Sequence, residues 1–134
     1  IDNRCILTPH PKEFDRLFGF SETSFDRLQK QRAFSKRTGA IIVLKGAHTS
    51  ITDSDGNVYF NASGNPYMAT GGMGDALTGL ICSLLAQGYS NKTAATLGVH
   101  YHGLAGDEVI QKSILKGISV TDLFDSKTWK SIGH

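Results

Sequence analysis

A chain of 134 residues is long enough for one domain with a real core, burying roughly two-thirds of its unfolded surface. With 40% hydrophobic and 19% charged residues, a formal charge of +2 and no basic run interleaved with aromatics, it is a poor candidate for binding nucleic acid or a membrane surface. No apolar stretch reaches the ~18 residues of a membrane span, and two cysteines, Cys5 and Cys82, make no disulfide framework.

Residues 4–7 read as a short strand that ends at Thr8-Pro9-His10-Pro11. Each proline pushes the residue before it toward extended backbone, and Pro11 suits the first turn of a helix. Glu13 falls in that turn, where a negative charge complements the dipole. Phe14, Leu17 and Phe18 give the helix an apolar face, and Gly19 stops it. A second helix is expected over about 24–36, capped from 21–23. Its apolar positions Phe25, Leu28 and Phe34 are sparse, which places it on the surface.

Thr38-Gly39 breaks that helix, and Ala40-Ile41-Ile42-Val43-Leu44 follows. An apolar run without alternation suits a strand buried on both faces, as in a parallel sheet. Residues 48–53 and 58–61 flank Ser54-Asp55-Gly56-Asn57, a hairpin signal. A glycine-rich loop over 64–74 then runs into an apolar helix ending near Gln87, on which Cys82 is expected as a buried thiol. Residues 94–112 read as a long helix. Ser119 or Thr121 can cap a last one carrying Leu123, Phe124, Trp129 and Ile132.

This order implies an α/β fold, a mostly parallel sheet with an inserted hairpin. Ligands of such sheets sit outside the carboxyl ends of the strands. Residues 8–11, 45–49 and the loop before Asp75 are therefore expected to converge on one site.

Gly71, Gly72 and Gly74 allow backbone N–H groups to approach a ligand closely, and the helix that follows adds its free N–H groups and positive dipole end. Phosphate is the usual occupant of such a place. The spacing is neither a dinucleotide fingerprint nor a P-loop. Asp75 can cap the helix or act as a base on an alcohol attacking a phosphoryl group, with the N–H groups of residues 72–75 holding the developing charge. Lys45-Gly46-Ala47-His48-Thr49, at a strand end, can hold a nucleotide's phosphate or sugar, or simply form a turn beside a solvated lysine. His10, stiffened between prolines, either packs in its turn or faces a ligand. Asn65 and Thr70 either bond a ligand or build the loop. His100 and His102 are two apart on a helix and point to different sides, so no metal site is expected there.

Three motifs in order carry a resemblance: Leu7-Thr8-Pro9-His10-Pro11-Lys12-Glu13-Phe14, Val43-Leu44-Lys45-Gly46-Ala47-His48-Thr49, and the run from Gly64-Asn65-Pro66 through Thr70-Gly71-Gly72-Met73-Gly74-Asp75 to Thr78-Gly79. His102-Gly103-Leu104-Ala105-Gly106-Asp107 adds a fourth. Together they resemble the ADP/ATP-dependent NAD(P)H-hydrate dehydratase family, a carbohydrate-kinase-like domain of the ribokinase-like superfamily. The resemblance implies a three-layer ribokinase-like fold, with residues 1–134 as the C-terminal half of the domain. It also implies a cytoplasmic repair enzyme that phosphorylates the ring hydroxyl of hydrated NADH or NADPH from ADP or ATP and eliminates phosphate. Carried over by position, Asp75 would be the base, with Gly72 and Gly74 in the anion hole. Lys45, Gly46, Ala47, His48, Thr49 and Gly74 would contact the nucleotide, and His10, Asn65 and Asp75 the hydrated dinucleotide. Magnesium would travel with the phosphates rather than in a protein cage. A small-molecule kinase of the same superfamily and a non-catalytic nucleotide-binding fragment are the alternatives. With half a domain and an open sheet edge, the chain is expected to be weakly active at best and to associate with other copies.

Overall fold

The computed structural model describes residues 1–113 and 117–132. The elements run β1 (Ile6–Leu7), α1 (Pro11–Phe18), α2 (Ser24–Thr38), β2 (Ile41–Leu44), β3 (Ser50–Thr52), β4 (Val58–Phe60), α3 (Met73–Ala86), α4 (Asn91–Lys112) and α5 (Val120–Phe124). One-turn 3-10 helices add Pro66–Met68 and Lys127–Ser131. The sheet has the order β1-β2-β3-β4. β1 pairs with β2 in parallel, Ile6 opposite Ile41, and the remaining two ladders are antiparallel. The sheet is therefore mixed, because the hairpin supplies two of its three ladders. β1 is shorter than the apolar run suggests: Cys5 N–H bonds back to the Asp2 carbonyl in a turn, so the ladder starts only at Ile6.

β2 is the axis of the core, with Ile41, Ile42 and Val43 all buried. On one side Ile41 and Val43 join Leu77, Ile81 and Leu84 of α3 and Ala94, Ala95 and Val99 of α4. α3 and α4 meet closely: a methyl at Gly98 would lie 2.6 Å from the Ile81 side chain, which is why no side chain stands there. Phe14 of α1 is fully buried, but Leu17 is 61% exposed, since the apolar stripe of α1 is wider than the surface it covers. Cys82, expected inside, is exposed: α3 turns Leu77, Ile81 and Leu84 inward, and Cys82 lies off that face.

α2 overlies the hairpin rather than standing clear of it. Its buried residues are polar, Gln31 and Ser35. The Gln31 amide donates to the Ile42 and Ser50 carbonyls (3.0 and 3.1 Å) and accepts from the Ser50 hydroxyl at 2.9 Å. Ser35 Oγ lies 2.7 Å from Thr52 Oγ1. As its sparse apolar positions imply, α2 lies at the surface: Phe25 is 69% exposed, while Phe34 packs on Phe18 at 4.2 Å between ring centroids.

The hairpin turn is organised by Asp53. Its Oδ1 accepts from the N–H groups of Asp55 and Asn57, both at 3.0 Å. Its Oδ2 accepts from Asn57 and Tyr59 and pairs with Lys92 of α4 at 3.0 Å. Burial pushes the carboxyl up, but Lys92 and Asn57 outweigh it and bring it down to about 2. At the far end the last expected helix is split. Ser119 caps α5, and the chain then turns into the 3-10 segment, whose Thr128 N–H and hydroxyl, with Ser126 Oγ, bond the Glu108 carboxylate of α4. Among the described residues no helix is long and apolar enough to cross a membrane.

Two outcomes follow. Gln31→Leu should lower unfolding free energy by about 1–3 kcal/mol, because Ser50 and two carbonyls lose a buried partner; denaturant melts of the two proteins measure it. The Asp53 carboxyl lies lower in the folded state than its ordinary 3.8, so its stabilisation is present above pH ~4 and fades as pH falls toward about 2. Wild type should exceed Asp53→Asn in stability near neutrality, and urea melts should show that margin shrinking by on the order of 2 kcal/mol across that interval.

Candidate functional site

Three chain segments meet at the N-terminus of α3. The first is the residue 8–11 turn after β1. Pro9 accepts the Lys45 N–H at 2.9 Å, which locks this turn to the end of β2, and Thr8 Oγ1 lies 3.4 Å from Thr78 Oγ1 on α3. The second is Lys45 itself. The third is the glycine loop. A methyl built at Gly74 would lie 3.1 Å from Lys45 Nζ, so the ammonium stands over the first turn of α3. The convergence read from the strand ends is what the fold shows.

Gly72 is the N-cap of α3, with φ +85°, and offers the helix no side-chain cap. Only glycine takes this conformation without strain, and a methyl here would also meet Val120 at 3.1 Å. Asp75 is therefore not the cap. It sits at N3, exposed, with no hydrogen bond or ion pair among the described residues. The N–H groups of Gly72, Gly74 and Asp75 likewise have no acceptor among the described residues. An anion arriving here meets free donors, the positive end of a 14-residue helix and a lysine. Beside Asp75 opens a cleft of about 540 Å³, bounded by Gly72 and Ala76 on one side and Val120, Leu123 and Trp129 on the other. Its apolar wall suits the face of a planar ring.

The loop is held in place by α4. Gly103 has Ser63 so close that a methyl would lie 2.2 Å from its hydroxyl and 2.7 Å from its backbone carbon, and a methyl at Gly106 would collide with Met68. Asp107 accepts from the Gly64 N–H and from Asn65 Nδ2, both at 2.8 Å, and Ser63 donates to the His100 carbonyl. Asn65 also caps the 3-10 turn that follows through Tyr67 N–H. Asn65 thus has a full set of loop-building bonds. Asp107, which closes the fourth motif but had no role assigned from the sequence, is the residue that anchors the loop; the Gly103-x-x-Gly106 spacing, two small residues on one helix face, was its signal.

His10 caps α1: its Nδ1 accepts the Glu13 N–H at 3.3 Å while Glu13 accepts the His10 N–H at 2.8 Å. Its imidazole remains 46% exposed beside the site. Gly46 and Thr49 close their own turn through mutual bonds of 3.3 and 3.4 Å, and Ala47 and His48 lie exposed within it. His102 is buried behind Met73, the first residue of α3, and burial pushes its imidazole down. The backbone of Gly74 is ordinary helix, so Gly74→Ala should leave the fold as stable or up to ~1 kcal/mol more stable. The methyl should nonetheless displace the Lys45 ammonium and weaken inorganic pyrophosphate binding several-fold. Thermal melts and calorimetric titration check both; equal pyrophosphate affinity in the two proteins would remove Lys45 from the cradle.

Comparison with known proteins fits this geometry. The family model described as NAD(P)H-hydrate dehydratase matches residues 2–128. A bifunctional NAD(P)H-hydrate repair enzyme of Moorella thermoacetica is 43% identical over 122 residues, covering 90% of this chain and 23% of that protein. The ADP-dependent (S)-NAD(P)H-hydrate dehydratase of Neisseria meningitidis is 39% identical over 127 residues, covering 92% of this chain and 43% of its own length. Among solved structures, the ADP/ATP-dependent NAD(P)H-hydrate dehydratase of Bacillus subtilis, co-crystallised with ATP and Mg2+, superposes with a TM-score of 0.82 at 34% identity, covering 93% of this chain and 48% of that one. The chain thus spans less than half the length of these relatives. With its motifs, its converging strand ends and its ribokinase-like α/β architecture all in agreement, this chain belongs to the NAD(P)H-hydrate dehydratase family.

Proposed function

We propose that residues 1–134 form the C-terminal half of a ribokinase-like domain that repairs hydrated NADH or NADPH, using ADP or ATP as phosphoryl donor. The observation that carries this reading is the uncommitted Asp75 carboxylate at N3 of α3, beside free N–H groups and beneath the Lys45 ammonium. Lys45 and the N–H groups of Gly72, Gly74 and Asp75 would hold the transferring phosphoryl group and take up charge that develops on it. Asp75 would accept the proton of the ring hydroxyl as its oxygen attacks phosphorus and the nucleotide leaves with the bond it held. The ring C–O bond then breaks, phosphate departs with that electron pair, and loss of a neighbouring ring proton restores the double bond. The apolar wall of Val120, Leu123 and Trp129 would keep water from this side of Asp75. Residues 46–49 would line the nucleotide, and His10 and Asn65 the side where the dinucleotide enters.

Magnesium would supply charge neutralisation on the phosphates. Few protein donors are needed for an ion carried this way, and Asp75 is the carboxylate at hand. The outer edge of β1 has no partner strand among the described residues, which supports self-association into a homo-oligomer. A cytoplasmic location, with no nucleic-acid or membrane partner, accords with the small net charge.

The test is recovery of reduced-nicotinamide absorbance from hydrated NADH or NADPH with ADP or ATP and Mg2+. It is run on this chain and on a longer polypeptide carrying it within the length of its relatives. The longer protein should turn over, and Asp75→Asn should lose roughly a hundredfold or more in rate with nucleotide affinity nearly kept. Undiminished turnover by Asp75→Asn would exclude it as the base. A phosphorylated small molecule accumulating without elimination would identify a kinase instead.

A further inference from the structure

A carboxylate stands at the cradle that the chemistry above does not use. Glu13, at N3 of α1, spends both its oxygens. Oε2 accepts the His10 N–H at 2.8 Å, and Oε1 lies 3.0 Å from His10 Nε2. His10 Nδ1 accepts from the Glu13 N–H, which lays the imidazole against the Glu13 carboxylate. Oε2 also faces Lys45 Nζ at 4.0 Å. The Lys45 backbone is pinned by its bond to Pro9, so the direction in which the side chain leaves β2 is fixed. Its ammonium therefore lies between two things, the Glu13 carboxylate and the first turn of α3 at Gly74.

We propose that Glu13 is a positioning residue that holds the Lys45 ammonium over Gly74 until a phosphate takes its place as the lysine's partner. The contact is long and half exposed, so it orients without trapping: a phosphate, with more charge and closer approach, displaces it. The same carboxylate accepts the His10 N–H and lies 3.0 Å from its imidazole, so one group joins Lys45 to the turn at His10. The bond from His10 N–H, foremost, and the charge of Lys45 keep the Glu13 carboxyl below its ordinary range, so it is ionised at neutral pH. A capping box alone would need His10 and Glu13 only; it gives no reason for Lys45 to be there. The proposal rests on the reading of Lys45 as a phosphate ligand, and its test separates the two.

The measurement is the rate at which each lysine of the ligand-free 134-residue chain is acylated by a succinimidyl ester, followed by mass spectrometry. Glu13→Gln keeps an acceptor for the His10 N–H and removes only the charge. It should raise Lys45 acylation several-fold while Lys12 and Lys36 stay as in wild type. Glu13→Asp keeps an acid at N3 but draws it back by one methylene, and should fall between the two. A thermal melt confirms that each variant is folded. Lys45 reacting at one rate in all three folded proteins overturns the proposal, leaving Glu13 as a cap. Inorganic pyrophosphate and Mg-ADP should each protect Lys45 in wild type. Failure to protect, with the Glu13→Gln acceleration still seen, overturns the phosphate reading of Lys45 and keeps the positioning contact.

Discussion

The site depends on one close approach, that of the residue 63–68 segment to helix α4. Backbone can lie that near a helix only where the helix lacks side chains, and Gly103 and Gly106 supply the bare patch. Asp107 then fastens the chain by two bonds of 2.8 Å at Gly64 and Asn65. Downstream of this anchor the loop has few residues in which to turn before α3 begins. The left-handed Gly72 completes the turn, and the N–H groups of Gly72, Gly74 and Asp75 are left without an acceptor among the described residues. A larger residue at position 103 would lift the loop and move every donor in the cradle, because they share one rigid helix start.

The opposite wall of the site is positioned by polar groups buried under the sheet. Strands of two to four residues form few ladder bonds. Side chains supply the rest: Gln31 bridges β2 and β3, Ser35 reaches Thr52, and Asp53 ties the hairpin turn to Lys92. The Gln31 and Ser35 bonds are shielded from water, and each would be costly if left half made. They fix the register of β2, and with it the point at which Lys45 leaves the sheet toward Gly74.

Much of this was legible in the chain. The apolar run over 40–44 marked a buried strand, Asp55-Gly56 marked the hairpin, and the glycines marked the loop that starts an apolar helix. Counting apolar positions put α2 at the surface, where it lies, but did not show that a glutamine and a serine seat it, because periodicity scores those types as surface. It misjudged Cys82 and the cover over Leu17, because an apolar stripe says which face can be buried, not whether something covers it. His10 as a cap was within reach, because proline follows it and a glutamate stands three residues on.

By itself the sequence determined which residue types gather: glycines with an aspartate, a lysine at a strand end, a histidine between prolines. Those follow from local backbone preference and spacing, which neighbours in the chain settle among themselves. Only the tertiary structure decided which of them are spoken for. It gave His10 and Asn65 to capping and anchoring, left Asp75 without a partner among the described residues, and placed Lys45 between Glu13 and Gly74. Whether a polar group is satisfied depends on partners far along the chain, 43 positions for Gly64 with Asp107 and 88 for Asn91 with Asn3, and such distances in sequence become contacts only when the core brings the elements together.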